Sequence, residues 1–273
     1  MLGILASIVD GILVGSVYGM AAMGLTLIWG VMNVINLSHG ALIVAGMFGL
    51  FLLSQALGVS PYLSVVPMLA VGFVAGVALY WIAVHRMIGR PPLMSLLSTF
   101  AVNMVLIGLG TAIWGTSLFN VEVSLPGLSF GGYTFPGTHL MAAGLTCVIA
   151  MLLYGFLQYT RPGKAIRAVS GNREAAELVG ISTRRVLAMA FGLGAALACV
   201  SGTLIATMFP FTVLGGLGNP AGALLGGVAL GLVEGLATPF MPVSWTSIIE
   251  FVLFIVVLIA FPRGLFNFIF KRS

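Results

Sequence analysis

Apolar residues run along this chain in long, nearly unbroken segments separated by short polar interruptions. Segments long enough to cross the hydrocarbon of a bilayer fall at about 4–28, 40–57, 63–84, 93–114, 139–158, 187–208, 213–236 and 245–262, with end errors of a few residues. None shows the ten-residue alternation of an outer-membrane barrel. In lipid every backbone N–H and C=O must be bonded within the protein, so uninterrupted runs of this length predict helices. The pattern predicts an all-α, polytopic transmembrane helix bundle of about eight spans, folded as a single membrane domain over 1–273. Discontinuous or re-entrant segments are expected near 30–40 and 215–222.

Composition agrees, because 60% of the residues are hydrophobic and only 6% charged, whereas a soluble domain carries about a quarter of its residues as Asp, Glu, Lys and Arg. The first run carries Asp10 and neither a basic leading region nor a small-residue cleavage site, and is read as a retained helix rather than a signal peptide. Cys147 and Cys199 both fall inside apolar runs, where a thiol behaves as a small hydrophobe, so no disulfide framework is expected. The formal charge of +5 is carried at the ends of the apolar runs with no aromatic-interleaved stripe. That placement fits membrane topology and lipid headgroups, not nucleic acid.

Basic residues fall in three places: His85, Arg86 and Arg90; then Arg161, Lys164, Arg167, Arg173, Arg184 and Arg185; then Arg263, Lys271 and Arg272. The positive-inside rule puts all three in the cytoplasm. Three spans before His85 then start the chain outside, and two spans separate the first basic region from the second. Between Arg185 and Arg263, however, three candidate spans occur, an odd number that would put the last basic residues on the wrong side. Either 213–236 is re-entrant, or about 20 residues, one helix's worth, are missing between 212 and 213.

Three polar interruptions carry candidate chemistry. In the loop 159–186, Asn172 is a candidate helix N-cap, Glu174 complements the helix dipole, Ala175, Ala176 and Leu178 are helix formers, and Gly180 is a stop. This short helix reads either as a docking element for a cytoplasmic partner or as a frayed interfacial helix in a positive-inside loop. In GVMNVINLSHG (30–40), the polar residues Asn33, Asn36, Ser38 and His39 fit a broken helix lining a substrate path. They also fit a plain turn with His39 bonded to a backbone carbonyl, the reading favoured for His39 alone. The glycine-dense GGLGNPAGALLGG (215–227) marks a tight turn and close packing near Asn219. It lacks the Lys-Ser/Thr of a phosphate loop. Small-residue pairs at Gly15/Gly19, Gly72/Gly76, Gly222/Gly226 and Gly231/Gly235 favour close helix contact. The intramembrane acids Asp10, Glu234 and Glu250 lie near span ends and have no assigned role. No residues converge on a metal site or a nucleophilic triad, so neither catalytic residues nor cofactors are expected.

The segments GLTLIWGVMNVINLSHGALIVAGMF (24–48), TRPGKAIRAVSGNREAAELVGIS (160–182) and VLGGLGNPAGALLGGVALGLVE (213–234) resemble the signature regions of the permease subunits of branched-chain amino-acid ABC transporters, and most closely the shorter of that system's two permeases. The resemblance covers most of the chain. It implies a bacterial inner-membrane, multi-pass permease working beside a second permease subunit, homologous or identical. It also implies two cytoplasmic ATPase subunits that bind the ATP and a periplasmic or lipid-anchored substrate-binding protein. On this resemblance Asn172, Arg173, Glu174, Ala175, Ala176, Leu178, Gly180 and Ile181 form the coupling helix that docks on an ATPase. Asn33, Asn36, Ser38, His39, Gly40 and Asn219 line or abut the path. The cargo is expected to be an amino acid, with urea, short amides or aromatic acids as alternatives; outside this family, the rival is a stand-alone channel or secondary carrier for a small polar solute. Relatives carry a further apolar stretch where this chain passes from MFPFT directly to VLGGLG, the place at which the span count fails.

Overall fold

The computed structural model describes residues 2–130 and 133–213. Eight α-helices occur there: α1 (Leu2–Met32), α2 (His39–Leu57), α3 (Val65–Leu79), α4 (Pro92–Trp114), α5 (Gly137–Tyr159), α6 (Arg161–Gly171), α7 (Arg173–Leu178) and α8 (Thr183–Ala206). Six helical segments are long and apolar enough to span a membrane, at 6–32, 39–57, 65–87, 93–114, 137–159 and 183–206. They coincide with the first six runs read from the sequence. The expected spans 213–236 and 245–262, the turn at 215–222, and Asn219, Glu234 and Glu250 lie outside the described residues.

α8 is the axis of the bundle. Of its most apolar stretch 83% is buried inside the protein, against 11% for α4 and 22% for α5, whose outward faces are lipid-facing by composition. α1, α2 and α3 all pack against α8. Their approach is close because α8 reads AFGLGAALACVSG at the contact, and in lipid, helices associate through van der Waals fit, not through apolar burial. A methyl group on Gly46 of α2 would overlap the Cys199 carbonyl, and one on Gly202 of α8 would overlap the Ile43 carbonyl. Gly24 and Gly194 approach one another across the α1–α8 seam, while Gly72 and Gly76 of α3 face Ala196 and Ala195. Polar side chains in this seam bond to neighbouring backbone: Ser201 Oγ donates to the Val17 carbonyl at 3.0 Å and Cys199 Sγ to that of Leu42 at 3.3 Å.

α3 continues through a π-helical turn (Tyr80–Val84) and a 3-10 turn (His85–Met87). A π turn carries one extra residue per turn and re-aims the side chains beyond it. Tyr80, fully buried, bonds His85 Nδ1 at 3.3 Å. The all-α expectation has one exception, a short hairpin pairing β1 (Leu128–Phe130) with β2 (Tyr133–Phe135) in the connection between α4 and α5. That connection is fastened over the bundle by aromatic rings. Phe48 stacks on Trp114 at 4.4 Å and meets Phe119 and Phe211 edge-on, each at 5.2 Å. Phe119 and Phe211 also exchange backbone hydrogen bonds of 2.8 and 2.9 Å.

The helix order makes the two ends chemically distinct. All eight Lys and Arg of the described residues gather at one end, with α6 and α7. Asp10, Glu122 and the hairpin occupy the other. Gly46→Ala and Gly202→Ala each force α2 and α8 apart and should cost roughly 1–3 kcal/mol, the usual range for overpacking. Gly144→Ala in the interior of α5, whose added methyl meets nothing within 4 Å, should instead stabilise by up to about 1 kcal/mol, since glycine costs that much relative to alanine inside a helix. Thermal unfolding of the three purified variants in detergent checks the contrast, and equal midpoints would refute it.

Candidate functional site: a broken helix beside a basic helical unit

The polar interruption at 33–38 is a true break. α1 ends where Asn33 takes a left-handed conformation (φ 51°) and donates its N–H to the Trp29 carbonyl at 2.8 Å. Asparagine tolerates that region better than other non-glycine residues because its short polar side chain bonds locally. The chain then passes through four residues without regular structure into a turn, with burial alternating: Asn33, Ile35 and Leu37 are exposed while Val34, Asn36 and Ser38 are buried. At Asn36 the side-chain Oδ1 accepts from Ser38 N at 3.1 Å and from Ser38 Oγ at 2.6 Å, an Asx turn that leads into α2. The Asn36 Nδ2 donor is left without a partner although the residue is only 2% exposed.

His39 and Gly40 open α2 and are buried. His39 Nε2 bonds the Ala21 carbonyl on α1 at 2.8 Å, and the ring lies against Gly24 in the seam with α8. Nδ1 has no partner. The structure therefore puts His39 between α1, α2 and α8, while Asn36 and Ser38 belong to the break itself. Asn33 is exposed at the basic end, and Asn219 is outside the described residues.

The basic end carries a compact helical unit. α6 starts at Thr160, whose Oγ1 accepts from Gly163 N at 3.1 Å, and its apolar face buries Ile166 and Val169 among Ile28, Val31, Met32 and Val34. Ser170 Oγ donates to the Gly30 carbonyl at 2.7 Å, three residues before the end of α1's hydrogen-bonded run at Asn33. α7 follows directly. Asn172 Oδ1 caps it by accepting from Ala175 N at 2.9 Å, and Gly180 ends it with φ 83°. Thr183 Oγ1 donates to Glu177 Oε1 and ties α7 to the start of α8.

Not every residue of the expected docking helix faces outward. Arg173 is partly covered, and Ala176, only 3% exposed, belongs with the partly buried Ile181 to the apolar cluster that holds Ile28, Val31 and Ile166, so these residues back the surface from within. Glu174 and Ala175 are exposed, and Leu178 and Val179 project into solvent at 89% and 75% exposure. These two bare apolar side chains form a small patch at a polar and basic end.

Sequence reading missed two further features. His139 Nδ1 lies 2.6 Å from Asp10 Oδ1, joining the start of α5 to α1 at the non-basic end, in the only ion-pair geometry among the described residues. Beside it a cavity of about 510 Å³ is lined by Asn120, Glu122, Ser124, Thr138 and Thr207 among others. Nothing in the sequence pairs residues 10 and 139, because long-range partners leave no local periodicity.

A helical bundle with six membrane-length apolar helices, a broken span, a central small-residue helix and a basic helical unit is that of a polytopic membrane protein. The chain matches the family model described as "Branched-chain amino acid transport system / permease component" over residues 7–258, and it belongs to that family. It is 30% identical over 290 residues, 94% of this chain and 93% of the relative, to the high-affinity branched-chain amino acid transport system permease protein LivH of Escherichia coli (strain K12). It is 27% identical to the corresponding permease protein BraD of Pseudomonas aeruginosa, covering 96% and 95% of the two chains. The probable branched-chain amino acid transport permease protein LivH of Methanocaldococcus jannaschii is 26% identical over 92% of this chain and 89% of that one.

Asn172→Ala removes the α7 cap and should cost about 1 kcal/mol locally. Hydrogen exchange of the Arg173–Leu178 amides is expected to speed up several-fold while α8 is unchanged, and exchange at the wild-type rate would show that the cap contributes nothing.

Proposed function

We propose that the chain is one membrane-spanning subunit of an ATP-binding-cassette importer of the bacterial inner membrane, carrying branched-chain amino acids. A second permease subunit, two cytoplasmic ATPase subunits and a substrate-binding protein complete the machine. Family membership supports the cargo class and the permease role. The observation that carries the ATPase coupling is the α6–α7 unit, which grips α1 beside the break through Ser170 and Ile166 and presents Leu178 and Val179 outward. A stand-alone channel or secondary carrier for a small polar solute has no use for that unit. In this reading the ATPase docks on Glu174, Ala175, Leu178 and Gly180, with Arg173, Ala176 and Ile181 beneath, and Asn172 caps the helix. The break at Asn33, Asn36 and Ser38 is the inner part of the path, with His39 and Gly40 packed behind it at the start of α2. Related cargoes such as urea, short amides or aromatic acids remain distinguishable by what the binding protein takes up.

Leu178→Asp and Glu174→Lys alter only exposed side chains, so the protein should insert normally while co-purification of the ATPase subunits falls at least tenfold. Undiminished co-purification from both variants would remove the docking role. Amino-acid uptake by vesicles stripped of every ATPase subunit would overturn the importer reading as a whole.

We further propose that about 20 residues, one spanning helix, are missing between Thr212 and Val213. Two observations support it. Phe211 is held at the non-basic end by Phe119, so an odd number of crossings must follow to return Arg263, Lys271 and Arg272 to the basic side. The comparison with the Escherichia coli permease also runs over 290 residues, of which 94% of this 273-residue chain supplies only about 257. Sequencing the encoding DNA across Thr212–Val213 should reveal the extra stretch; an uninterrupted reading frame, with a cytoplasmic C-terminus, leaves 213–236 as a re-entrant segment.

A further inference from the structure

The buried face of α4 is polar. Of the described side chains of this 23-residue helix, three are buried: Ser95 at 4%, Thr99 at 1% and Asn103 at 5% exposure. They recur at i, i+4 and i+8, one stripe on one face. The remaining faces carry Leu93, Leu97, Val105, Leu109 and Ile113, each more than half exposed. A lipid-bathed helix ordinarily turns its small and apolar residues to its neighbours, and buried polar groups in a membrane are costly unless they meet partners or a watered path.

The stripe meets the break in α1–α2. Thr99 Oγ1 accepts from Leu37 N at 3.1 Å and has the carbonyls of Ile35 and Ser95 each at 3.0 Å for its single proton. One hydroxyl thus clasps the residues on both sides of Asn36. Asn36 itself is the side chain whose Nδ2 donor is buried and unpartnered. A donor left so inside a membrane protein costs about 1–3 kcal/mol, and such a group points to something polar that comes and goes.

We infer that Ser95, Thr99 and Asn103 of α4 form, with Asn36, a polar wall of the translocation path that takes the polar groups of a small, net-neutral cargo. This rests on the permease reading above. Ser95, Thr99, Asn103 and Asn36 carry no formal charge, so these four side chains offer a cargo of net charge no counter-ion. Hydroxyl and amide groups can both donate and accept, which suits the carboxylate and ammonium of a zwitterionic amino acid. Thr99 has a second part: by holding Ile35 and Leu37 it keeps Asn36 at the wall.

The test uses the assembled transporter, with all its subunits, in inside-out vesicles. In a Cys147→Ser, Cys199→Ala background, single cysteines are placed at Ser95, Thr99 and Asn103, with Leu97 and Val105 as lipid-facing controls. A water-soluble, positively charged methanethiosulfonate should label the stripe at least tenfold faster than the controls in one nucleotide state of the ATPases, and leucine should slow that labelling several-fold. Equal rates at all five positions would overturn the inference, and rapid labelling that no amino acid slows would overturn its cargo-binding part. Asn103→Leu is expected to raise the KM for uptake at least tenfold and Thr99→Ser to retain what Thr99→Val loses; a KM unchanged in Asn103→Leu counts against the wall. Loss of the parent reading is seen separately, as failure of the unmodified complex to take up any amino acid.

Discussion

The close approach of α8 to α1, α2 and α3 is the constraint on which everything else rests. In a bilayer the tails surrounding a helix are as apolar as its own side chains, so apolar burial does not hold helices together. Contact area and short-range attraction do, and both need backbones to come near. α8 provides this with glycine, alanine, serine and cysteine at successive turns, and Gly46, Gly72 and Gly76 answer from the facing helices. Larger residues at those places would separate the axes. They would also break the hydrogen bonds that Ser201 and Cys199 make to carbonyls across the seam, since such bonds tolerate only a few tenths of an ångström.

A packed axis allows a broken helix. The residues of 34–38 lack helical hydrogen bonding, so the polar groups that are buried there need partners from the protein. Asn36 closes a turn on Ser38, Thr99 bridges Ile35 and Leu37, and His39 fastens the first turn of α2 to Ala21. His39 can do this only because Gly24 leaves room beside Gly194. The close packing of α8 and the order of the break are thus one arrangement.

Six spans were legible as long apolar runs because the bilayer imposes their length. The helix Arg173–Leu178 was legible as well, because Asn172 and Gly180 are local signals that need no distant partner. α6 was harder: Arg161, Lys164 and Arg167 read only as part of a basic loop, and the spacing of Ile166 and Val169 is what betrays a face that packs on α1. The family resemblance places Ala176 in the docking helix; a short amphipathic helix must bury one face, and Ala176 lies on it. The hairpin 128–135 is three residues a strand, too short for alternation to stand out. The Asp10–His139 pair depends wholly on tertiary structure. The α4 stripe lay open in the sequence as Ser95, Thr99 and Asn103, four apart, hidden by the strength of the apolar signal around it.

The basic unit and the break connect through one short segment of α1. Ser170 bonds the Gly30 carbonyl and Ile166 and Val169 pack on Ile28 and Val31, while three residues further on the chain leaves the helix at Asn33. A displacement of α6 would therefore reach the break through side-chain contact, without travelling along α5 or α8. α8 is poorly placed to carry it, being buried on nearly all sides and committed to three neighbours. The end of α1 is a different case, gripped by α6 on one side and leading directly into the non-helical residues that Thr99 and Asn36 hold. A close-packed axis beside a span whose helix is interrupted at its edge is an arrangement in which one end can shift while the rest keeps its packing.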